Sequence, residues 1–200
     1  MPDETVALAN ELINKYFADA YVARMHIWYS AMRQVLDRLE SKGFSEQQLG
    51  LIPMFKPAVT YSLDMLKSSY DTTKLNYLAA AIENSILGNL DDSVCQLLWY
   101  TFSELAPLHL KLLILFNDVR HYYQELEREF PLDYDWEYKD FVEDCYIALS
   151  GQSVYYEQAW NELYLRKMVA VADLNDLFTV DSLTTEYGKA FVRFLTVTTD

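Results

Sequence analysis

The chain contains few of the residues that interrupt helices, and this scarcity constrains its fold more than any other feature. Five glycines and five prolines are spread over 200 residues, of which 52% are apolar. Between about Glu4 and Ser41 neither occurs, and this stretch predicts a helix about 57 Å long, more than the width of a compact domain. We therefore expect the helix to bend or break, and Gly43 to end it. Its predicted apolar stripe is Leu12, Tyr16, Ala20, Ala23, Ile27, Ala31, Val35 and Leu39.

Shorter helical patterns follow, and they predict an N-terminal helical bundle over residues 1–105. Ser45 and Gln48 have the spacing of a capping box, in which each side chain bonds the other residue's backbone N–H. Further helices are predicted at about 54–69 and 72–88, and from Ser93 onward. The side chains expected to face the core are Phe55, Val59, Leu63, Leu66, Leu75, Leu78, Ala79, Ile82, Ile86, Val94, Leu97, Leu98, Phe102 and Leu105.

The remaining residues, 106–200, predict a second module that shares a core with the first. Pro107 is favourable in the first turn of a helix, where its missing N–H has no partner to lose. The apolar pattern after it is nearly continuous to Phe116, which predicts a central helix, and the pattern extends to about Glu129. Two more helices are predicted at about 135–149 and 153–168.

The end of the chain predicts a wing and a closing helix, and this element order is typical of a winged helix. Two short apolar stretches, 168–172 and 177–180, flank a polar turn and predict a β-hairpin. A helix is then expected to begin at Thr184. Its apolar side consists of Tyr187, Phe191, Phe194 and Leu195. The predicted fold class is therefore mainly α, a helical bundle followed by a winged-helix-like module with one hairpin.

Two motifs in the second module carry a resemblance to a known family. A pattern of the type L-x-P-x-H-L-x-L-L and a closing pattern L-T-x-x-G-x-x-F match Leu105, Pro107, His109, Leu110, Leu112 and Leu113, then Leu183, Thr184, Gly188 and Phe191. Through them, residues 73–195 resemble the abortive-infection alpha-like family, helical proteins proposed to act in phage defence or immunity. In this chain the closing motif has one more residue before its glycine. The resemblance implies a bacterial or phage setting, and its motifs carry no catalytic residue.

Charge and cysteine content narrow the classes of function. The net charge is −14, and residues 101–200, with 8 basic and 18 acidic side chains, hold −10 of it. Nucleic-acid binding needs clustered Lys and Arg to displace counterions from phosphates, and this chain has no such cluster. Cys95 and Cys145 match no metal spacing, so two reduced thiols are expected. An acidic N-terminus and the lack of a long apolar run predict a cytoplasmic protein without a membrane segment. No cofactor is predicted.

Aromatic residues crowd the last third of the chain among acidic ones, and they are the candidate functional residues. Tyrosine and tryptophan are enriched at protein interfaces, so those that remain outside the core would form an acidic, aromatic surface for a protein partner or a second copy. The predicted partner-binding residues are Tyr134, Trp136, Tyr138, Tyr155, Tyr156 and Trp160. The leading hypothesis is a non-enzymatic interaction or regulatory protein.

Two alternative functions are also compatible with the sequence. In a winged-helix regulator of transcription, the helix at 153–168 would enter the major groove, with Gln158, Asn161 and Arg166 facing bases. In a helical enzyme or metal-binding protein, Asp118, His121 and Glu125 would share one helix face, because they are spaced at i, i+3 and i+7.

Overall fold

The computed structural model describes residues 19–68, 72–88, 90–131 and 135–196, and these are mainly helical. The chain divides into two compact units: one extends to Tyr100 and includes Leu195 and Thr196, and the other is Thr101–Phe194. Within the described residues, no helix is both long and apolar enough to cross a membrane. The mainly helical fold class is confirmed, while the predicted domain boundary at residue 105 stays a prediction.

Five helices lie in the first half of the described chain, and the last of them ends beyond Tyr100. They are α1 (Asp19–Ser41), α2 (Glu46–Leu49), α3 (Phe55–Ser68), α4 (Thr73–Leu87) and α5 (Asp92–Glu104). The second half contains α6 (Pro107–Leu115), α7 (Val119–Glu125), α8 (Tyr138–Cys145), a 3₁₀ helix (Ile147–Leu149), α9 (Ser153–Leu165) and α10 (Glu186–Leu195).

In the first unit, α1 buries one narrow stripe against α3 and α4. That stripe is Trp28, Met32, Val35 and Leu39, with the i, i+4, i+7, i+11 spacing of one helix face. The predicted stripe included Ile27, which is exposed. Trp28 takes the inward position because its Nε1–H donates to the buried Ser62 Oγ at 2.9 Å. Residues 4–18 of the predicted helix, with Leu12 and Tyr16, lie outside the described residues, so the expected bend stays a prediction.

The register of α5 also differs from its prediction. Val94 and Leu97 were expected in the core, yet they are 44% and 52% exposed. The helix instead turns Trp99 inward, where the indole stacks on Tyr61 and donates to Ser85 Oγ at 2.9 Å. An indole buries more area than a valine or leucine, so its packing determines which face is inside.

The second unit is built around α6, which the sequence predicts as its central helix. This helix buries apolar side chains on nearly all of its sides: Leu110, Leu112, Leu113, Leu115 and, at its end, Phe116. α9 packs along α6. Pro107 occupies the first turn, as expected.

The predicted continuation of this helix to Glu129 was wrong, because Asp118 interrupts it. Its side chain accepts the backbone N–H of His121 at 2.9 Å, which makes Asp118 the N-cap of a separate helix, α7. Aspartate is strongly favoured at this position because its carboxylate bonds an N–H that lacks a partner within the helix. The helix predicted at 135–149 is likewise shorter, and a 3₁₀ turn follows it.

The predicted β-hairpin was also wrong. Val169 forms an isolated antiparallel bridge with Thr184, and Leu177 forms one with Glu137, so the two apolar stretches pair with other segments and not with each other. The residues between them form an anchored turn, because Leu174 is buried and its carbonyl accepts the Lys139 N–H at 2.9 Å. The tip of a projecting hairpin would instead leave Leu174 exposed, without a bond to Lys139.

The closing helix forms as predicted, although it begins two residues later than expected. Thr185 caps it: its hydroxyl accepts the Gly188 N–H at 3.1 Å and donates to the Lys167 carbonyl at 2.6 Å. Gly188 lies directly against backbone, since a Cβ there would be 2.1 Å from the Met168 carbonyl oxygen. In the closing motif, Gly188 therefore allows close packing against the Met168 backbone, which is the structural role that the sequence indicates.

Candidate protein-interaction face

The inner side of α9 belongs to the core of the second unit. Its buried side chains are Tyr156, Ala159, Trp160 and Leu163. Trp160 packs edge-on against Phe116 and donates from Nε1 to the Val171 carbonyl at 3.0 Å. The Tyr156 hydroxyl donates to Glu143 Oε1 at 2.8 Å, and burial, followed by this contact with Glu143, raises the pKa of Tyr156.

Burial therefore corrects part of the predicted partner surface. Tyr138, Tyr156 and Trp160 are at most 2% exposed, so in this structure they fill the core and cannot contact a partner. They are inside because a small helical unit needs large aromatic side chains to fill the space between its helices. Trp136 is half-buried against Phe141. Tyr134 lies outside the described residues.

The sixth predicted residue, Tyr155, is 67% exposed and borders an unusual helix surface. Opposite the buried side of α9, a stripe at i, i+4, i+7 and i+11 consists of Val154, Gln158, Asn161 and Leu165, all of them exposed. We call these four residues, with the adjacent exposed Tyr155 and Tyr164, the α9 outer face. Val154 and Leu165 are 73% and 70% exposed. Val154, Gln158, Asn161 and Leu165 carry no charge, and Glu157 and Glu162 flank this stripe as closely as the two tyrosines do.

Acidic side chains border the α9 outer face, and one of them is held in place. Glu162 Oε2 accepts from His109 Nε2 at 2.9 Å, and its other oxygen accepts from Gln158 at 3.1 Å. The hydrogen bonds from Gln158 and His109 hold the pKa of Glu162 below its usual value, so its negative charge persists. His109 is oriented by the Ala106 N–H, which donates to Nδ1 at 3.0 Å, so its ring proton lies on Nε2. His109 thus joins α6 to α9, and because both ring nitrogens are engaged it is not available as a base.

The same contacts argue against the hypothesis that α9 reads DNA bases. The Gln158 amide, which was expected to face bases, donates to Glu162. The Arg166 guanidinium lies 3.9 Å from the Glu104 carboxylate, a contact that offsets its positive charge. A helix that carries Glu157 and Glu162, and whose nearest cations in sequence, Arg166 and Lys167, follow its last turn, presents little positive potential to phosphates.

The Asp118, His121 and Glu125 trio does not form a metal site. Asp118 is engaged as the N-cap of α7, and His121 Nε2 lies 3.3 Å from Glu125 Oε1 with both side chains about 60% exposed. Groups that are open to solvent are poorly suited to hold a proton-transfer pair. Throughout the described part of the chain, no group of three or more His, Cys, Asp or Glu side chains is placed to hold a metal ion.

The thiols and the buried tyrosine near Cys145 are structural in character. Cys95 and Cys145 are free, and burial raises the pKa of both thiols, which keeps them protonated and poorly nucleophilic. The Tyr123 hydroxyl donates to Asp144 Oδ2 at 2.5 Å, and Arg128 binds Asp144 Oδ1 at 2.7 Å. Burial is also the main cause that raises the pKa of Tyr123. The cluster ties α7 and the turn after it to α8.

Sequence reasoning missed Val154 and Leu165, the two most exposed apolar residues of the α9 outer face. A signal was available, because the buried stripe at Tyr156, Trp160 and Leu163 leaves the opposite stripe at 154, 158, 161 and 165 facing solvent. Attention to aromatic residues alone selected members of the inner side.

Comparison of the chain with protein-family models, with curated proteins and with solved structures gives no match. The resemblance to the abortive-infection alpha-like family thus rests on the motif residues alone.

Proposed function

We propose that this protein is a non-enzymatic interaction protein that binds another protein through the α9 outer face. The observation that carries the proposal is that Val154, Tyr155 and Leu165, which are 73%, 67% and 70% exposed, lie on one helix of the second unit. Exposed apolar side chains that share a helix face mark sites of association, and here Val154 and Leu165 lie at the two ends of the stripe with Gln158 and Asn161 between them.

The composition of the face supports a particular kind of contact. Interface centres are depleted of charge and enriched in tyrosine, and here uncharged Gln158 and Asn161 lie between apolar ends and two tyrosines. Glu157 and Glu162 border the stripe, so a partner with apolar anchors and flanking basic residues would be complementary to it.

The biological setting follows from the family resemblance and belongs to the same proposal. A cytoplasmic regulatory protein of bacterial or phage origin, acting in defence or immunity, would use such a face to recognise a protein partner or a second copy of itself.

Site-specific photo-crosslinking in the native host tests the proposal. A photoreactive amino acid is placed at Tyr155 or at Leu165, and as a matched control at the exposed His121 of α7. We expect one discrete protein product from the two α9 positions and none from His121. The double variant Val154→Ser/Leu165→Ser, with the photoreactive group kept at Tyr155, should lose the product.

The same product from His121, or no product from either α9 position, would reject the interaction face. A product of twice the protein's own mass would identify the partner as a second copy. The DNA-binding alternative is tested separately: a salt-sensitive shift of duplex DNA that needs Arg166 and Lys167 would replace the proposal.

A further inference from the structure

A pocket of about 480 Å³ lies in the first unit, between the end of α1, the short helix α2 and the start of α3. Its volume is within the range of about 300–1,000 Å³ that is usual for ligand sites. Its apolar lining consists of Leu36, Phe44, Leu49 and Phe55, and its polar lining of Glu40, Ser45 and Glu46.

Two consecutive capping motifs hold the wall of the pocket in place. At the end of α1 the Phe44 N–H donates to the Leu39 carbonyl and the Gly43 N–H to the Glu40 carbonyl, with Gly43 at φ 91°, which is the pattern of a Schellman motif. The Ser45–Gln48 capping box follows at once. The C′ position of Gly43 and the Ser45–Gln48 capping box were predicted from the sequence and are confirmed. A pocket held this way is largely formed before binding, which lowers the entropy lost on association.

The charges at the pocket select the kind of ligand. Glu40 and Glu46 are both exposed, and none of the seven lining residues is basic. Most of the chain's net charge lies in residues 101–200, and the neighbouring Lys42 is paired with Glu83 at 3.7 Å. An apolar cavity beside two carboxylates is complementary to an apolar side chain that has positive charge next to it.

We propose that this pocket binds a basic peptide segment of a partner protein, with a Leu- or Phe-like side chain in the cavity and flanking Lys or Arg at Glu40 and Glu46. The proposal does not depend on the α9 outer face. A second copy of the chain is the competing occupant, because Leu51, in the turn after α2, is 82% exposed and could enter such a cavity. Charge argues against it, since two molecules of −14 each would approach with carboxylates at the contact.

Selection of a random peptide library on the full-length protein tests the proposal without a known partner. We expect the recovered peptides to carry Lys or Arg beside a large apolar residue. The affinity for synthetic versions of these peptides, measured by fluorescence anisotropy, should fall at least about fivefold in Glu40→Lys/Glu46→Lys, since two charge contacts are lost. Leu36→Ser should also lower this affinity, and added salt should lower it as screening increases.

Matched variants keep the result interpretable. Glu125→Lys/Glu129→Lys reverses the same number of exposed charges on α7 and the loop after it and should leave the affinity unchanged, while circular dichroism checks that each variant is folded. Val154→Ser/Leu165→Ser should also bind the peptides normally, so failure of this site and failure of the α9 outer face are separate results.

Four outcomes would overturn the proposal: no peptide above background, peptides without basic residues, binding that Glu40→Lys/Glu46→Lys leaves intact, or binding that Val154→Ser/Leu165→Ser abolishes. Sedimentation as a dimer that Leu51→Ser converts to a monomer would assign the pocket to a second copy.

Discussion

The inner and outer faces of α9 are made of similar residues but have different physical roles. Both contain tyrosine and large aliphatic side chains, yet Tyr156 and Leu163 are buried while Tyr155 and Leu165 are mostly exposed. Packing on α6, with bonds to Val171 and to Glu143 of α8, accounts for the buried residues of the inner face. Nothing in the described part of the second unit covers the α9 outer face, so its apolar residues call for a reason other than folding. The difference separates residues that stabilise the unit from residues available for binding.

The largest effect is expected from Trp160→Ala on the inner face. Truncation of a fully buried indole leaves a cavity and an unpaired Val171 carbonyl, so the free energy of unfolding should fall by about 3–5 kcal/mol. Urea denaturation followed by circular dichroism measures it. Tyr155→Ala on the other face is the control, with a change of no more than about 0.5 kcal/mol. Similar losses for both variants would refute the distinction between the faces.

His109→Ala should have the next largest effect, because it removes the contact between α6 and α9 at their edge. The Ala106 N–H loses its acceptor and Glu162 loses a donor, which should cost about 2 kcal/mol of unfolding free energy. Gln158→Ala removes the other bond to Glu162 and should cost only about 0.5 kcal/mol. Equal losses in the same denaturation experiment would mean that the cap at Ala106 contributes nothing.

Tyr156→Phe should cost about 1 kcal/mol at neutral pH, since it deletes one hydrogen bond to Glu143. It should also change the pH dependence. The folded-state pKa of Tyr156 is raised, so its contribution is complete below the unfolded pKa of about 10 and is lost as pH rises above that value. Denaturation between pH 8 and 11 should therefore show a smaller alkaline decline in Tyr156→Phe than in the wild type. Tyr123→Phe should act in the same direction, and an unchanged slope in both would contradict their burial.

The smallest effect on stability is expected on the α9 outer face. Val154→Ser/Leu165→Ser should change the free energy of unfolding by no more than about 0.5 kcal/mol, because both side chains already contact water. The same variant should lose the crosslinked partner. A loss of several kcal/mol would instead place these residues in the core and remove the argument for binding.

The sequence predicts some local features of this fold well, since they depend on neighbours in the chain. The Ser45–Gln48 capping box, the end of α1 at Gly43 and the start of α6 at Pro107 all form as expected. Each involves hydrogen bonds within a few residues, so the residue types alone are sufficient to specify them.

Predictions that required knowledge of distant partners were less accurate. The stretches at 168–172 and 177–180 are apolar and β-compatible, but their β-bridge partners are Thr184 and Glu137. A short apolar run does not specify which segment it pairs with. The prediction of one continuous helix through Asp118 was wrong for a related reason. An apolar stripe can continue across a capping residue at which one helix gives way to another.

The candidate site divides in the same way. Sequence alone determined a mainly helical, acidic chain with an aromatic-rich last third, because composition and periodicity are properties of the chain itself. Only the tertiary structure determined which of those aromatic side chains are buried and which side of α9 is exposed to solvent. Tyr155 and Tyr156 are adjacent and chemically identical, yet Tyr156 is fully buried and bonds Glu143 of α8 while Tyr155 is 67% exposed. Burial is set by packing between segments far apart in sequence, and no local pattern contains that information.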